Sequence, residues 1–230
     1  MPFYYFFDPT MLIVLPALIF TIWAQINVNS TFEKYSKINV ARRMTGYDSA
    51  RRILDANGLY DVQIERIRGH LTDHYDPKAN VIRLSESVYD SYSAAAIGVA
   101  AHEAGHAVQH AVGYSPIKIR QTIIPVTRIG SALAMPLFII GIFMALPGLM
   151  YAGIIFYSLA VLFQLVTLPV EFNASRRAME ALEGSGILSD DELLASRKVL
   201  TAAAMTYVAA LATSLLSLLR LLLIANNRKR

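Results

Sequence analysis

Residues 92–111 read YSAAAIGVAAHEAGHAVQHA, an alanine-rich run without proline whose helix propensity stays high despite Gly98 and Gly105. Within it, His102-Glu103-Ala104-Gly105-His106 is an HExxH sequence. Helical residues four apart lie on one face, so both imidazoles point to the same side of the rod and can share one cation. Glu103, next to the first of them, is placed to hold a water at that cation, take its proton and pass it to a leaving amine. The run therefore predicts a helix from Ser93 to about Ala111 carrying two metal ligands, His102 and His106, and one catalytic base, Glu103. The whole chain holds only five histidines, which makes a chance match to this spacing uncommon.

Outward from this helix the chain becomes apolar. Its hydrophobic fraction of 55% and mean hydropathy of +0.42 exceed the usual globular range. The excess gathers into four stretches, about residues 11–28, 129–146, 149–170 and 200–219, each long enough to cross a bilayer as a helix. The segment MPFYYFFDPT ahead of the first has no Lys or Arg, so the stretch reads as a retained anchor rather than a cleaved signal peptide. Five regions follow: an anchor over 1–28, a polar module with the HExxH helix over 29–121, and a transmembrane hairpin over 122–170 that turns at Pro147-Gly148. A polar segment over 171–199 and a last membrane helix with a basic tail over 200–230 complete the chain. Thr45 with Asp48, and Ser189 with Glu192, mark capping-box helix starts, and Gly58 is placed to end the first of these helices. Turn residues Asp76, Pro77 and Asn80, followed by alternation over Val81, Ile82, Arg83 and Leu84, predict a short β-hairpin or edge strand.

A chain without cysteine excludes disulfides, iron–sulfur clusters and thiolate zinc sites, and leaves His, Asp and Glu as strong metal ligands. A net charge of +4, with Lys and Arg scattered between apolar stretches, excludes a nucleic-acid surface. A catalytic zinc takes a third protein ligand and keeps one position open. Gln109 and Val112 stand where the longer HExxHxxGxxH pattern demands Gly and His, so the ligand comes from elsewhere. His110 lies a further turn along the helix and suits a supporting role. The downstream acids are Glu171, Glu180, Glu183, Asp190, Asp191 and Glu192. Glu171 stands out, because an acid directly after an apolar stretch is costly without a partner such as a metal. His70, Asp73 and His74 lie in a turn-rich segment that suggests hydrogen bonds rather than a second metal.

Five blocks in fixed order carry a resemblance: TFEKYSK from Thr31, LDANGLYDV from Leu54, GHLTDHYDP from Gly69, AAHEAGHAVQH from Ala100 and VEFNASRRA from Val170. Across nearly its whole length the chain resembles the membrane-embedded zinc metallopeptidases of the YugP type in bacteria. That family is distantly similar to the HtpX and CAAX-prenyl endopeptidases, in which a later ExxxD motif supplies a glutamate ligand. Glu171 falls on that glutamate. Ser175 stands where those relatives have an aspartate that orients a ligand histidine, and its hydroxyl can accept a hydrogen bond without charge. Arg176 is a candidate substrate anchor with solvation as the plainer role. In related peptidases the strand before the active helix takes up substrate by strand addition, which would give Val81 and Arg83 substrate contacts.

The expected fold is mainly α: a membrane-embedded, gluzincin-like zinc peptidase with about four transmembrane helices, the HExxH helix and the β-hairpin. The expected activity is zinc-dependent endopeptidase chemistry with one Zn2+ per chain, acting in the bilayer on membrane-associated proteins or peptides. Lys and Arg follow the first and third stretches while the hairpin turn is uncharged, so the positive-inside rule puts the catalytic side in the cytoplasm of a bacterial plasma membrane. The tail Arg228-Lys229-Arg230 disagrees if all four stretches cross. A membrane scaffold or chaperone-like factor with a purely structural metal is the competing expectation, and there Glu103 would be dispensable. A small transporter is disfavoured, since the central portions of the spans lack acids.

Overall fold

The computed structural model describes residues 9–227. The expectations resting on the first eight residues and on Arg228-Lys229-Arg230 lie outside them. The element order is α1 (Met11–Tyr35), α2 (Gly46–Ala56), β1 (Gln63–Ile67), β2 (His74–Asp76), β3 (Val81–Ser85), α3 (Ala94–Ala111), α4 (Ser115–Phe143), α5 (Pro147–Gly184) and α6 (Asp190–Asn227). The chain is mainly helical, and α1, α4, α5 and α6 are each long and apolar enough to cross a membrane. Exposed Leu15, Ile19 and Trp23 on α1, and Ile129, Leu133 and Ile140 on α4, leave apolar surface that only lipid would cover at little cost. The third apolar stretch and the segment carrying Glu171 form one 38-residue helix, and the fourth stretch likewise continues from the Ser189 start into 38-residue α6.

Among the described residues two compact units emerge, one of residues 9–24, 119–168 and 206–227, the other of residues 25–118 and 169–205. In the first, α4 and α5 form an antiparallel hairpin. Pro147 occupies the opening position of α5, where its missing N–H costs nothing, and the left-handed residue of the turn is Ala145 at φ 54°. The two helices touch closely at Gly153, where an added Cβ would come 2.7 Å from the Ala134 carbonyl oxygen. Small residues at such a crossing let backbones approach where no hydrophobic effect drives association. Arg220 does not end α6, and its Nε donates to Thr10 Oγ1 at 3.1 Å.

In the second unit, the apolar side chains of α2, the sheet and α3 make one core, with Leu54, Ile82, Leu84 and Ile97 fully buried. Both capping boxes form. Thr45 Oγ1 accepts from Asp48 N at 3.1 Å while Thr45 N donates to Asp48 Oδ2 at 2.9 Å, and Ser189 N donates to Glu192 Oε2 at 2.8 Å. Glu192 also accepts from Ala41 N at 2.9 Å, so this acid is spent on structure. Gly58 follows α2 at φ 72°, a conformation suited to glycine.

The sheet order is β1-β3-β2, with β1 parallel and β2 antiparallel to β3. The hairpin is present as β2 and β3, but the expected edge strand over residues 79–84 is corrected, because β3 is the central strand. With neighbours on both sides, its backbone has no open edge for substrate. The expected alternation is absent because both faces of the strand are covered: Val81, Ile82 and Leu84 are all buried. Val81 is therefore a core residue. Arg83 ties the strands together, with Nε 3.0 Å from Glu65 Oε2 and a terminal nitrogen 3.0 Å from Asp76 Oδ2. The Arg83 contact, with backbone N–H groups of Ala79 and Lys78, holds the Asp76 carboxyl below its usual pKa.

Candidate metal centre

Ser93 caps α3, its hydroxyl accepting from Ala96 N at 3.2 Å. The helix is small on every side, so neighbours come close: Ser196 of α6 packs on Gly98 and donates to the Ala94 carbonyl at 2.7 Å. On α5, the Ala174 carbonyl oxygen lies 2.7 Å from where a Cβ on Gly105 would be. Glycine between the two histidines thus lets the backbone of α5 approach the HExxH turn closely enough for Glu171 to reach both rings. Gly105→Ala is expected to force α3 and α5 apart, costing about 1–3 kcal/mol of stability and weakening metal binding. Thermal unfolding and chelator competition measure the two effects; unchanged affinity would contradict this role for the contact.

His102 Nε2 lies 3.3 Å and His106 Nε2 3.4 Å from the same atom, Glu171 Oε2. Charge-assisted N–H···O bonds prefer about 2.7–2.9 Å, whereas two ligands of a tetrahedral zinc with bonds of about 2.1 Å stand about 3.4 Å apart. The observed gaps match the second geometry. One atom from each of the three residues falls within 4.8 Å of the others, and among the described residues this is the one such His/Asp/Glu group. Two neutral imidazoles and a carboxylate form a donor set that suits zinc. Burial works to keep His106 neutral, yet the hydrogen bond and charge of Glu171, with Glu103 adding, raise its pKa above the usual value.

Each ring is held by its other nitrogen. His102 Nδ1 is 3.1 Å from Ser175 Oγ, and His106 Nδ1 is 3.0 Å from Gln109 Oε1. Glu103 is buried, and no hydrogen bond from the described residues engages its carboxylate. A general base needs such an open acceptor.

The other candidates separate clearly. Ser175 is the hydroxyl beside His102 Nδ1. His110 is exposed and packs edge-on to Tyr75 with ring centroids 6.1 Å apart, away from the three donors. Arg176 is exposed, its Nε 3.9 Å from Glu180. Asp73 accepts from Ser85 N and Oγ at 2.7 and 3.1 Å, and His74 Nδ1 lies 2.9 Å from the Thr72 carbonyl, the hydrogen bonding expected of that segment. Burial raises the Asp73 pKa, against its Ser85 hydrogen bonds and with a smaller contribution from Glu103. Gln109 and Asn173 carried no role in the sequence analysis; the one hint was a long amide a turn beyond His106 on an otherwise small, apolar helix.

A family model described as "Putative neutral zinc metallopeptidase" matches residues 10–226. The chain is 50% identical over 215 residues to the "Putative membrane protease YugP" of Bacillus subtilis (strain 168), covering 94% of this chain and 96% of that protein. No solved structure matches. With a match over nearly its full length and a zinc-competent His-His-Glu group inside it, the chain belongs to this neutral zinc metallopeptidase family.

Proposed function

We propose that the chain is a membrane-bound, zinc-dependent endopeptidase holding one Zn2+ through His102, His106 and Glu171, with Glu103 as general base. The observation that carries it is the convergence of three donors at tetrahedral spacing beside buried Glu103, whose carboxylate takes no hydrogen bond from the described residues. What a bound Zn2+ supplies there is Lewis acidity, giving a water of lowered pKa and a polarised scissile carbonyl. The Glu103 carboxylate takes the proton of the attacking water and delivers it to the leaving amine. Ser175 and Gln109 hold the two ligand rings in the orientation that presents Nε2. His102, His106 and Glu171 would supply three ligands, one fewer than a purely structural zinc site uses.

Substrates are membrane-associated proteins or peptides. Support comes from the four apolar helices and from the continuity of α5, which carries both a candidate span and Glu171. The test uses the full chain in detergent micelles with two peptide sets, one apolar enough to partition into the micelle and one soluble. Cleavage of the first set, lost with a zinc chelator and restored by Zn2+, is expected. Equal cleavage of both sets contradicts the substrate assignment, and cleavage indifferent to chelation contradicts the chemistry.

The catalytic side faces the cytoplasm of a bacterial plasma membrane, on the strength of Lys34, Lys37, Arg42 and Arg43 after the first apolar stretch and Arg176 and Arg177 after the third. The chain has no native cysteine, so a Cys at exposed Tyr60 reports sidedness directly. Labelling of Tyr60→Cys by an impermeant maleimide in intact cells would reverse the assignment.

A further inference from the structure

An imidazole that ligates a metal through Nε2 carries its proton on Nδ1, and the group accepting that hydrogen bond fixes the tautomer. For His106 the acceptor is a carboxamide, which in isolation can turn either end toward the ring. Its surroundings allow one orientation. Gln109 Nε2 donates to the Val170 carbonyl at 2.8 Å and to Asn173 Oδ1 at 2.9 Å. Turned over, the amide would set its oxygen against two oxygens while fully buried, at 0% exposure.

Asn173 is itself an amide, and its orientation is set one step further out. Arg177 Nε donates to the same Oδ1 at 2.9 Å. A guanidinium has donors only and keeps its proton at any ordinary pH, so it cannot reverse the direction of the chain. Polarity therefore runs without ambiguity from Arg177 through Asn173 to Gln109, leaving Gln109 Oε1 as the acceptor 3.0 Å from His106 Nδ1. The lone pair of His106 Nε2 is left for the cation, 3.4 Å from Glu171 Oε2. Gln109 also ties α3 to the carbonyl of Val170, the residue before Glu171, so one side chain grips a histidine ligand and the backbone beside the carboxylate ligand.

We propose that Arg177, Asn173 and Gln109 form a directional hydrogen-bond relay that fixes the tautomer of His106, making Gln109 a positioning residue of the metal centre. The relay rests on the reading of His102, His106 and Glu171 as ligands. Its support is the matched set of donors and acceptors running from half-buried Arg177 through buried Asn173 and Gln109 on two helices.

The test is zinc affinity of the full chain in detergent micelles, read by competition with a chromophoric chelator, beside thermal unfolding of the metal-free protein. Gln109→Met, similar in length but without the acceptor, is expected to weaken zinc binding by about 10- to 100-fold. Asn173→Leu is expected to weaken it in the same direction, whereas Asn173→Asp, which can still accept from both Gln109 and Arg177, stays within a few-fold of the wild type. Packing alone would lower the unfolding temperature without separating Asn173→Asp from Asn173→Leu in affinity. If Gln109→Met fails to fold, the Asn173 pair decides. Wild-type affinity in Gln109→Met, or equal affinity in the two Asn173 variants, overturns the relay. A wild-type chain that binds no zinc overturns instead the metal reading on which it rests.

Discussion

Glu103→Gln is expected to keep close to one equivalent of zinc per chain while losing peptide hydrolysis by about three orders of magnitude or more. The substitution keeps shape and replaces a proton acceptor by an amide that cannot carry the water's proton. Because Glu103 is not among the three donor residues and has no hydrogen bond from the described residues to lose, metal content and the unfolding temperature should both stay near wild type. The two readouts together separate a catalytic role from a structural one. A scaffold that keeps zinc for its fold would show no dependence on this carboxylate in any assay. Retained hydrolysis of a validated peptide by Glu103→Gln would remove the general-base assignment.

Removing Glu171 should act on the metal itself. In Glu171→Ala the two imidazoles remain alone, and zinc affinity is expected to fall by more than the roughly 10- to 100-fold that changes in supporting groups cost. Activity should disappear with the metal. Glu171→Gln keeps the volume and a weaker oxygen donor, so it should bind zinc better than Glu171→Ala and still below wild type. Glu180 and Glu183 are the nearest alternatives along α5, and Glu180 instead stands exposed beside Arg176. Full zinc occupancy in Glu171→Ala after dialysis against a weak chelator would mean that another acid completes the site.

Much of this centre was legible before any coordinates because its parts are local. A pair of histidines one turn apart needs only a helix to align them, and the alanine-rich run around them leaves little else for the backbone to do. Glu171 was legible for a different reason, since a carboxylate directly after an apolar stretch announces an unpaid electrostatic cost. The capping boxes at Thr45 and Ser189 are likewise short-range chemistry.

The relay was hidden because its meaning depends on two helices meeting. Gln109 served in the sequence only to exclude a longer histidine pattern, and Asn173 was one letter of a resembling block. Nothing in either position says that a buried amide will face a carbonyl 61 residues away. The β3 edge was misplaced for a related reason. Alternation over four residues cannot report whether a strand has one neighbour or two, and the parallel partner β1 precedes β2 in the sequence although it pairs directly with β3.

The most direct test of the centre is zinc K-edge X-ray absorption on the full chain purified in detergent. The expected spectrum has a tetrahedral shell of light atoms at about 2.0–2.2 Å, two of them imidazole nitrogens by their multiple-scattering pattern. The imidazole count should fall by one in the zinc that His106→Ala retains, and Glu171→Ala should hold little or no zinc. A wild-type chain without zinc, or with zinc whose shell is unchanged by both substitutions, would contradict it.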